Sequence, residues 1–368
     1  MRLARVEELL ARLVGFPTVS ASSNLALIDW VEGVLSGAGF TVTRIAAEGA
    51  PKAGLLARFG EGEGGVLLSA HTDVVPTDGQ RWSVDPFSLT RRGDRLLGRG
   101  TTDMKGFIAC VLALAETLRD APPARPVMIA LSWDEEVGCR GIPQMIDRMI
   151  PELGRPDLCI VGEPTLMRLG IGHKGKASYR ATCHGEAGHS AMAPRFTNAL
   201  HLAADLIAAL RAAQERLAEQ GAQDAAYDIA SSTVHAGRMQ GGVALNIVPE
   251  HAEVEFEIRH LAQERAEDIL AGIESDLPER IEISRTGAYP GLDTDPSRPE
   301  IAPLAALLPD AAPLKVSYGT EAGFFAGLGI PTVVCGPGTM ADGHQPDESI
   351  ARAQLDLCCD VLDRLLRG

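Results

Sequence analysis

Val66-Leu67-Leu68-Ser69-Ala70-His71-Thr72-Asp73-Val74-Val75-Pro76 runs from an unbroken apolar stretch into a knot of polar side chains. An apolar run that short, rich in valine and leucine, reads as a strand buried on both faces. Strands of that kind belong to parallel sheets covered by helices, and such sheets build sites where the strands end. The same pattern recurs. Residues 127–132 lead into Trp133-Asp134-Glu135-Glu136-Val137-Gly138-Cys139, and residues 158–161 into Gly162-Glu163-Pro164-Thr165. A further apolar run covers 331–335. Helical spacing at 107–118, 142–149 and 350–366 separates these runs, and 1–14 and 24–37 read as two more helices. Strands at 40–45 and 54–59 precede the first buried one. The alternation predicts an α/β fold with a mostly parallel, doubly wound sheet.

The texture changes near residue 175. Residues 176–184, 231–237, 252–260 and 280–284 alternate apolar and polar like half-exposed strands. Helical patterns at 198–220 and 264–275 sit among them. This β-α-β-β-α-β order predicts an inserted α+β, ferredoxin-like domain over residues 176–288. Proline- and glycine-rich connectors then return the chain to the α/β pattern, with a short strand at 316–318 and a helix at 321–326. Residues 1–175 and 289–368 form the catalytic, metal-binding domain of this reading.

Composition narrows the function. The 368 residues are 45% hydrophobic and 23% charged, and the formal charge is −15. So acidic a chain is a poor partner for nucleic acid or an anionic membrane. No apolar run approaches the ~18–20 residues of a membrane span. Residues 1–14 interleave charges with leucine and valine, unlike a signal peptide. Seven cysteines without C-x-x-C spacing point to free thiols in a reducing cytoplasm.

The chain ends displayed by the predicted sheet carry His71, Asp73, Glu135, Glu136 and Glu163. Two further loops add Asp103, in Gly98-Arg99-Gly100-Thr101-Thr102-Asp103-Met104-Lys105-Gly106, and His344, in Gly343-His344-Gln345-Pro346-Asp347-Glu348. Each has an ordinary reading alone. Asp103 precedes a helix and suits an N-cap, a lone histidine is usually a satisfied polar residue, and Glu135-Glu136 suits a solvated strand end. Surface charges have no reason to gather repeatedly where buried strands stop. Two histidines and several carboxylates suit a divalent ion such as zinc, cobalt or manganese.

These segments, in this order, resemble the M20 family of dinuclear metallohydrolases. Tyr318-Gly319-Thr320-Glu321-Ala322-Gly323 and Cys335-Gly336-Pro337-Gly338 are most similar to its acetylornithine deacetylase branch. The resemblance implies two divalent metal ions per subunit, zinc or cobalt foremost. Asp103 would bridge them, His71 and Glu163 would complete one site, and Glu136 and His344 the other. Asp73 would stand behind His71 and fix its tautomer. Glu135 would be the general base. His189, in Gly188-His189-Ser190, would reach the partner subunit's site in a homodimer formed through residues 176–288. Asn246, Arg259, Thr320 and Glu321 would contact substrate. A strained, cis peptide after Asp103 is also implied. Cys139 and Lys174 receive no role.

The implied reaction is hydrolysis of N2-acetyl-L-ornithine to L-ornithine and acetate, in arginine biosynthesis. The alternatives are succinyl-diaminopimelate desuccinylase or another N-acyl-amino-acid amidohydrolase and, from a different class, a non-catalytic metal or amino-acid binding protein on the same fold. A non-ligand Glu beside a ligand Glu favours an enzyme, because a pure binder has no need of a base. No G-x-S-x-G elbow is present, and Cys139 has no evident base beside it.

Overall fold

The computed structural model describes residues 2–275 and 277–368. Met1, where the first helix was read to begin, and Asp276, within the inserted segment, lie outside the described residues. The chain forms two compact units. One comprises Met1–Gly172, Thr294–Leu314 and Thr320–Gly368; the other comprises His173–Asp293 and Lys315–Gly319.

In chain order the first unit begins with α1 (Arg2–Val14), α2 (Leu25–Gly37), β1 (Thr41–Ala46), β2 (Ala53–Phe59), β3 (Val66–His71), α3 (Lys105–Leu118), β4 (Val127–Ser132), α4 (Ile146–Leu153) and β5 (Leu158–Pro164). The second unit follows with β6 (Gly175–His184), α5 (Ala199–Gln220), β7 (Thr233–Gly241), β8 (His251–His260), α6 (Ala266–Glu274) and β9 (Ile281–Tyr289). The chain closes the first unit with α7 (Ala322–Gly327), β10 (Thr332–Gly336) and α8 (Arg352–Arg367).

The sheet of the first unit runs β1-β2-β4-β3-β5-β10 through its centre. β3 is parallel to both β4 and β5, and β10 is parallel to β5. β2 is antiparallel to β1 and β4. β4 and β5 are buried at every residue, which is why their sequences are continuous rather than alternating. α3 is buried along nearly its whole length and joins α1, α2 and α8 in one apolar core. The parallel strands all end at one edge, and that edge carries His71, the residues after Ser132, and Glu163.

The second unit is a four-stranded antiparallel sheet, β7-β8-β6-β9. Burial alternates along β6 and β8, and the buried residues form one core with α5 and α6. This is the β-α-β-β-α-β order read from the alternation. Lys315–Gly319 belongs to this unit, although its sequence reads as a resumption of the α/β pattern. The short strand there is Leu314–Val316, not 316–318.

Asp103 does not cap α3. The residue at that position is Met104, and no side chain caps the helix. The Asp103–Met104 peptide is cis. Gly100 bends the preceding turn at φ +85°, where a Cβ atom would lie 2.9 Å from side chains of Val74 and Lys105. Only glycine fits both conditions.

Candidate metal centre and active site

Three chain ends and two loops of the first unit bring the predicted ligands together. Asp103 lies at the middle, 4% exposed, with one oxygen for each histidine. Its Oδ1 is 3.1 Å from His71 Nε2, and its Oδ2 is 3.0 Å from His344 Nε2. A second carboxylate serves each imidazole. Glu163 Oε1 lies 3.5 Å from His71 Nε2, and Glu136 Oε2 lies 3.0 Å from His344 Nε2. The result is two donor sets that share Asp103.

His71 has a defined tautomer when neutral. Its Nδ1 lies 2.9 Å from the Asp73 backbone carbonyl, which can only accept. Nδ1 therefore carries the proton, and Nε2 turns a lone pair toward Asp103 and Glu163. The Asp73 carboxylate stands farther off, 3.5 Å from Nδ1. Its main work lies elsewhere. It accepts from the backbone N–H of Glu135 at 3.1 Å, from that of Glu136 at 3.3 Å, and from Ser20 Oγ at 2.7 Å. Asp73 thus holds the loop that carries both glutamates as well as standing behind His71.

Glu135 packs within ligand reach of His71 and Glu163: one donor atom from each falls within 4.8 Å of the others. His71, Asp103 and Glu136 form a second such group. No histidine hydrogen-bonds to Glu135 among the described residues. Its Oε1 instead accepts from the Cys139 thiol at 3.4 Å. Burial and neighbouring acids keep that thiol protonated, so it can donate.

The charges show how far this cluster is from self-sufficient. Asp73, Asp103, Glu135, Glu136, Glu163 and Glu321 face two imidazoles. Burial pushes Glu135 and Glu163 well up, and burial with Asp103 pushes Glu136 up to about 7. Hydrogen bonds to Asp103 and Glu136 raise His344 to about 10. Burial disfavours the charge on Asp103, yet the two histidines outweigh it and hold the group far below the carboxylate range. Glu136 Oε1 is buried with no partner. Protons on two imidazoles cannot balance six acids, whereas two divalent cations bring four charges. Donor spacing fits as well. Donors ~2.0–2.2 Å from one cation, 90–110° apart, are about 2.9–3.5 Å from each other, as the four pairs above are. His71, Asp103 and Glu163 could hold one ion, and His344, Asp103 and Glu136 the other.

Glu348 is the residue that the residue pattern did not single out. It is 1% exposed, and its carboxylate accepts from the backbone N–H groups of Gly100, Thr102 and Asp103 and from Arg99. It holds the Asp103 turn from below. Its position in Gln345-Pro346-Asp347-Glu348, beside His344, was the available signal.

The other candidates are placed differently. Thr320 and Glu321 are wholly buried, at 0% and 2%. Thr320 Oγ1 accepts from Ala322 N at 3.0 Å at the start of α7, whose cap position is Glu321. Burial pushes Glu321 up to about 7. In the second unit, the pairing of Gly188–His189 with Ile247–Val248 brings His189 beside Asn246, whose carbonyl accepts from Ser190 N at 3.1 Å. Both residues are exposed. His189 Nδ1 accepts from Ala191 N, which leaves its proton on Nε2, free to donate outward. Arg259 lies near the far end of β8 and bonds Glu257 at 2.8 Å. From His251 to Arg259 the strand spans roughly 25 Å, so Arg259 is not grouped with His189 and Asn246. Lys174 donates to the carbonyls of Ile229 and Ser231.

Known proteins resemble the chain over most of its length. Residues 67–368 match the model of peptidase family M20/M25/M40. The acetylornithine deacetylase of Pasteurella multocida is 33% identical over 374 residues, covering 98% of this chain and 96% of that protein. That of Pectobacterium atrosepticum is 35% identical over 384 residues, covering 100% and 98%. Among solved structures, the M20 family metallo-carboxypeptidase Sso-CP2 of Sulfolobus solfataricus superposes with a TM-score of 0.81 at 18% identity, covering 97% of both chains. The dinuclear metal-binding peptidase YXEP of Bacillus subtilis superposes at 0.70 and 14%, covering 99% and 97%. At those identities the structures speak for the fold alone. No helix among the described residues is long and apolar enough to cross a membrane.

Proposed function

The chain belongs to peptidase family M20/M25/M40 and is a metal-dependent hydrolase of that family, and from that premise we propose that it hydrolyses N2-acetyl-L-ornithine to L-ornithine and acetate in arginine biosynthesis. The observation that carries the reaction class is the shared carboxylate: Asp103 offers one oxygen to each of two donor sets, and a further acid, Glu135, stands beside them without a histidine partner. The substrate is supported by the full-length relatives named for that reaction.

Two divalent cations, zinc or cobalt, held by His71, Asp103 and Glu163 and by His344, Asp103 and Glu136, would supply Lewis acidity to the amide carbonyl and make a nearby water more acidic. Glu135 takes a proton from the attacking water as the oxygen joins the acyl carbon. It then delivers that proton to the nitrogen as the C–N bond breaks. Burial pushes Glu135 up, and two cations beside it would favour the carboxylate that takes the proton. Asp73 keeps Glu135 and His71 aimed together.

His189, donating from Nε2, serves the substrate carbonyl in the neighbouring subunit of a homodimer built through residues 176–288, with Asn246 beside it. Arg259 offers its guanidinium fork to the α-carboxylate. A cytoplasmic site of action suits seven free, buried cysteines.

The test is a panel of N-acetyl, N-formyl and N-succinyl amino acids on protein loaded with zinc or cobalt. N2-acetyl-L-ornithine should be the best substrate. Preference for an N-succinyl substrate would move the chain to the desuccinylase reading, and no turnover by fully loaded protein would leave only a binding protein. Mixing inactive Glu135→Ala with inactive His189→Ala chains tests the dimer. Random exchange in a two-fold dimer should restore roughly a quarter of wild-type activity, because each mixed dimer has one intact site. No recovery after verified exchange would mean that His189 acts within its own chain or not at all.

A further inference from the structure

His344 has no strand to hold it. It sits in a turn at φ +57°, and Asp347, three residues on, is at φ +58°. Both are left-handed conformations that cost a side-chain-bearing residue free energy unless the surroundings impose them. The surroundings are specific. Gln80 Nε2 donates to the His344 carbonyl at 2.9 Å. Gln80 Oε1 accepts from Arg99 Nη2 and from Trp82 Nε1. Arg99 Nη1 donates to Glu348 Oε2 at 2.7 Å, and its guanidinium lies 5.0 Å from the Trp82 ring centroid. Glu348 closes the path onto the N–H groups of Gly100, Thr102 and Asp103. Ser83 adds two bonds to the Asp347 carboxylate, at 2.8 and 2.6 Å. Arg99 and Glu348 are each 1% exposed.

We propose that Gln80, Arg99 and Glu348 are positioning residues for one of the two cation sites: they fix the His344 turn against the Asp103 turn, so the donor pair His344–Asp103 exists before a cation arrives. The inference rests on the reading of His344, Asp103 and Glu136 as one cation's donors. The path from the His344 carbonyl to the Asp103 amide runs through side chains only, with Gln80 as the link that joins its two halves. Nothing comparable is needed on the other side, where His71 and Glu163 stand on paired strands. A site assembled from a braced turn loses affinity when the brace goes, because ordering the turn must then be driven by binding itself. Outer residues of this type set metal affinity by about 10–100-fold.

The decisive variant is Gln80→Ala. Gln80 is half-buried, and its loss leaves the Arg99–Glu348 pair in place. Cobalt(II) is titrated into metal-free protein, with binding read from its visible absorption and from metal retained after dialysis. Wild type should take two ions. Gln80→Ala should bind one as wild type does and the other about 10–100-fold more weakly. In a His344→Ala background, which keeps only the strand-side ion, adding Gln80→Ala should change nothing further. Arg99→Lys, which keeps the charge but not the fork to Gln80 and Glu348, should weaken the same ion. Equal weakening of both ions, or of neither, overturns the proposal. Failure of wild type to bind two ions overturns the dinuclear reading and this proposal with it, whereas two tight ions in both wild type and Gln80→Ala overturns this proposal alone.

Discussion

The two halves of the metal centre are built by different means. His71 and Glu163 lie at the ends of β3 and β5, where His71 is paired with Ser132 of β4 and Pro164, the residue after Glu163, with Gly336 of β10. They are 1% and 3% exposed. His344 and Glu136 come from loops, and the His344 side chain is 47% exposed. Sheet hydrogen bonds set the first pair, and a side-chain path through Gln80, Arg99 and Glu348 sets the second. A donor on a paired strand is positioned by the same bonds that hold the fold. A donor on a turn needs its own supports, and it sits nearer the local openings of the chain. The strand side should therefore be the rigid, retained half and the loop side the exchangeable one, with Asp103 belonging to both.

The largest effect tests where the division falls. Glu135 and Glu136 are neighbours, yet among the described residues only Glu136 lies within hydrogen-bonding distance of a histidine. Glu135→Ala should lower kcat by about 10²–10⁴-fold with two ions still bound. Loss of the strand-side ion instead would make Glu135 a fourth donor there, as its proximity to His71 and Glu163 allows, and would redraw the comparison. Next comes graded chelation. One ion should leave about tenfold or more before the other, and His344→Ala should lack the early-leaving ion. Simultaneous loss would erase the distinction between the halves. The smallest effect concerns the loop that carries both glutamates. Cys139→Ala removes one thiol donor to Glu135 and should lower kcat about 2- to 10-fold, the range of a single hydrogen bond. KM and metal content should hold, and Cys139→Ser should recover the rate. A serine variant as slow as alanine would mean that the thiol only fills space.

The difference between the halves also explains what was legible in the sequence. Apolar runs ending in His71, Glu135-Glu136 and Glu163 announced the strand ends, because a buried strand and its polar terminus are local features. The antiparallel second unit was visible for the same reason, in the alternation of β6 and β8. Asp103 was legible as a candidate but not by its own setting, which suggests a helix cap; its carboxylate is instead taken by two histidines distant in sequence. The brace was not legible. Glu348 bonds mainly to backbone amides and Gln80 reaches a backbone carbonyl, and backbone groups leave no mark in side-chain patterning; Arg99 joins the two across a long sequence separation. Thr320 and Glu321 are read from their motif as substrate contacts, and their burial, at 0% and 2%, is a product of packing that the motif does not show. Likewise only strand pairing shows that His189 lies beside Asn246 and that Arg259 lies at the other end of β8.

One carboxylate, Asp103, joins the two donor sets. Metal content per chain, measured by atomic emission after exhaustive dialysis, tests this in three proteins. Wild type should retain two ions, His344→Ala one, and Asp103→Ala none, with folding of each variant confirmed by circular dichroism. An Asp103→Ala chain that folds and keeps one tightly bound ion would show that His71 and Glu163 suffice without it, and that Asp103 does not join the halves.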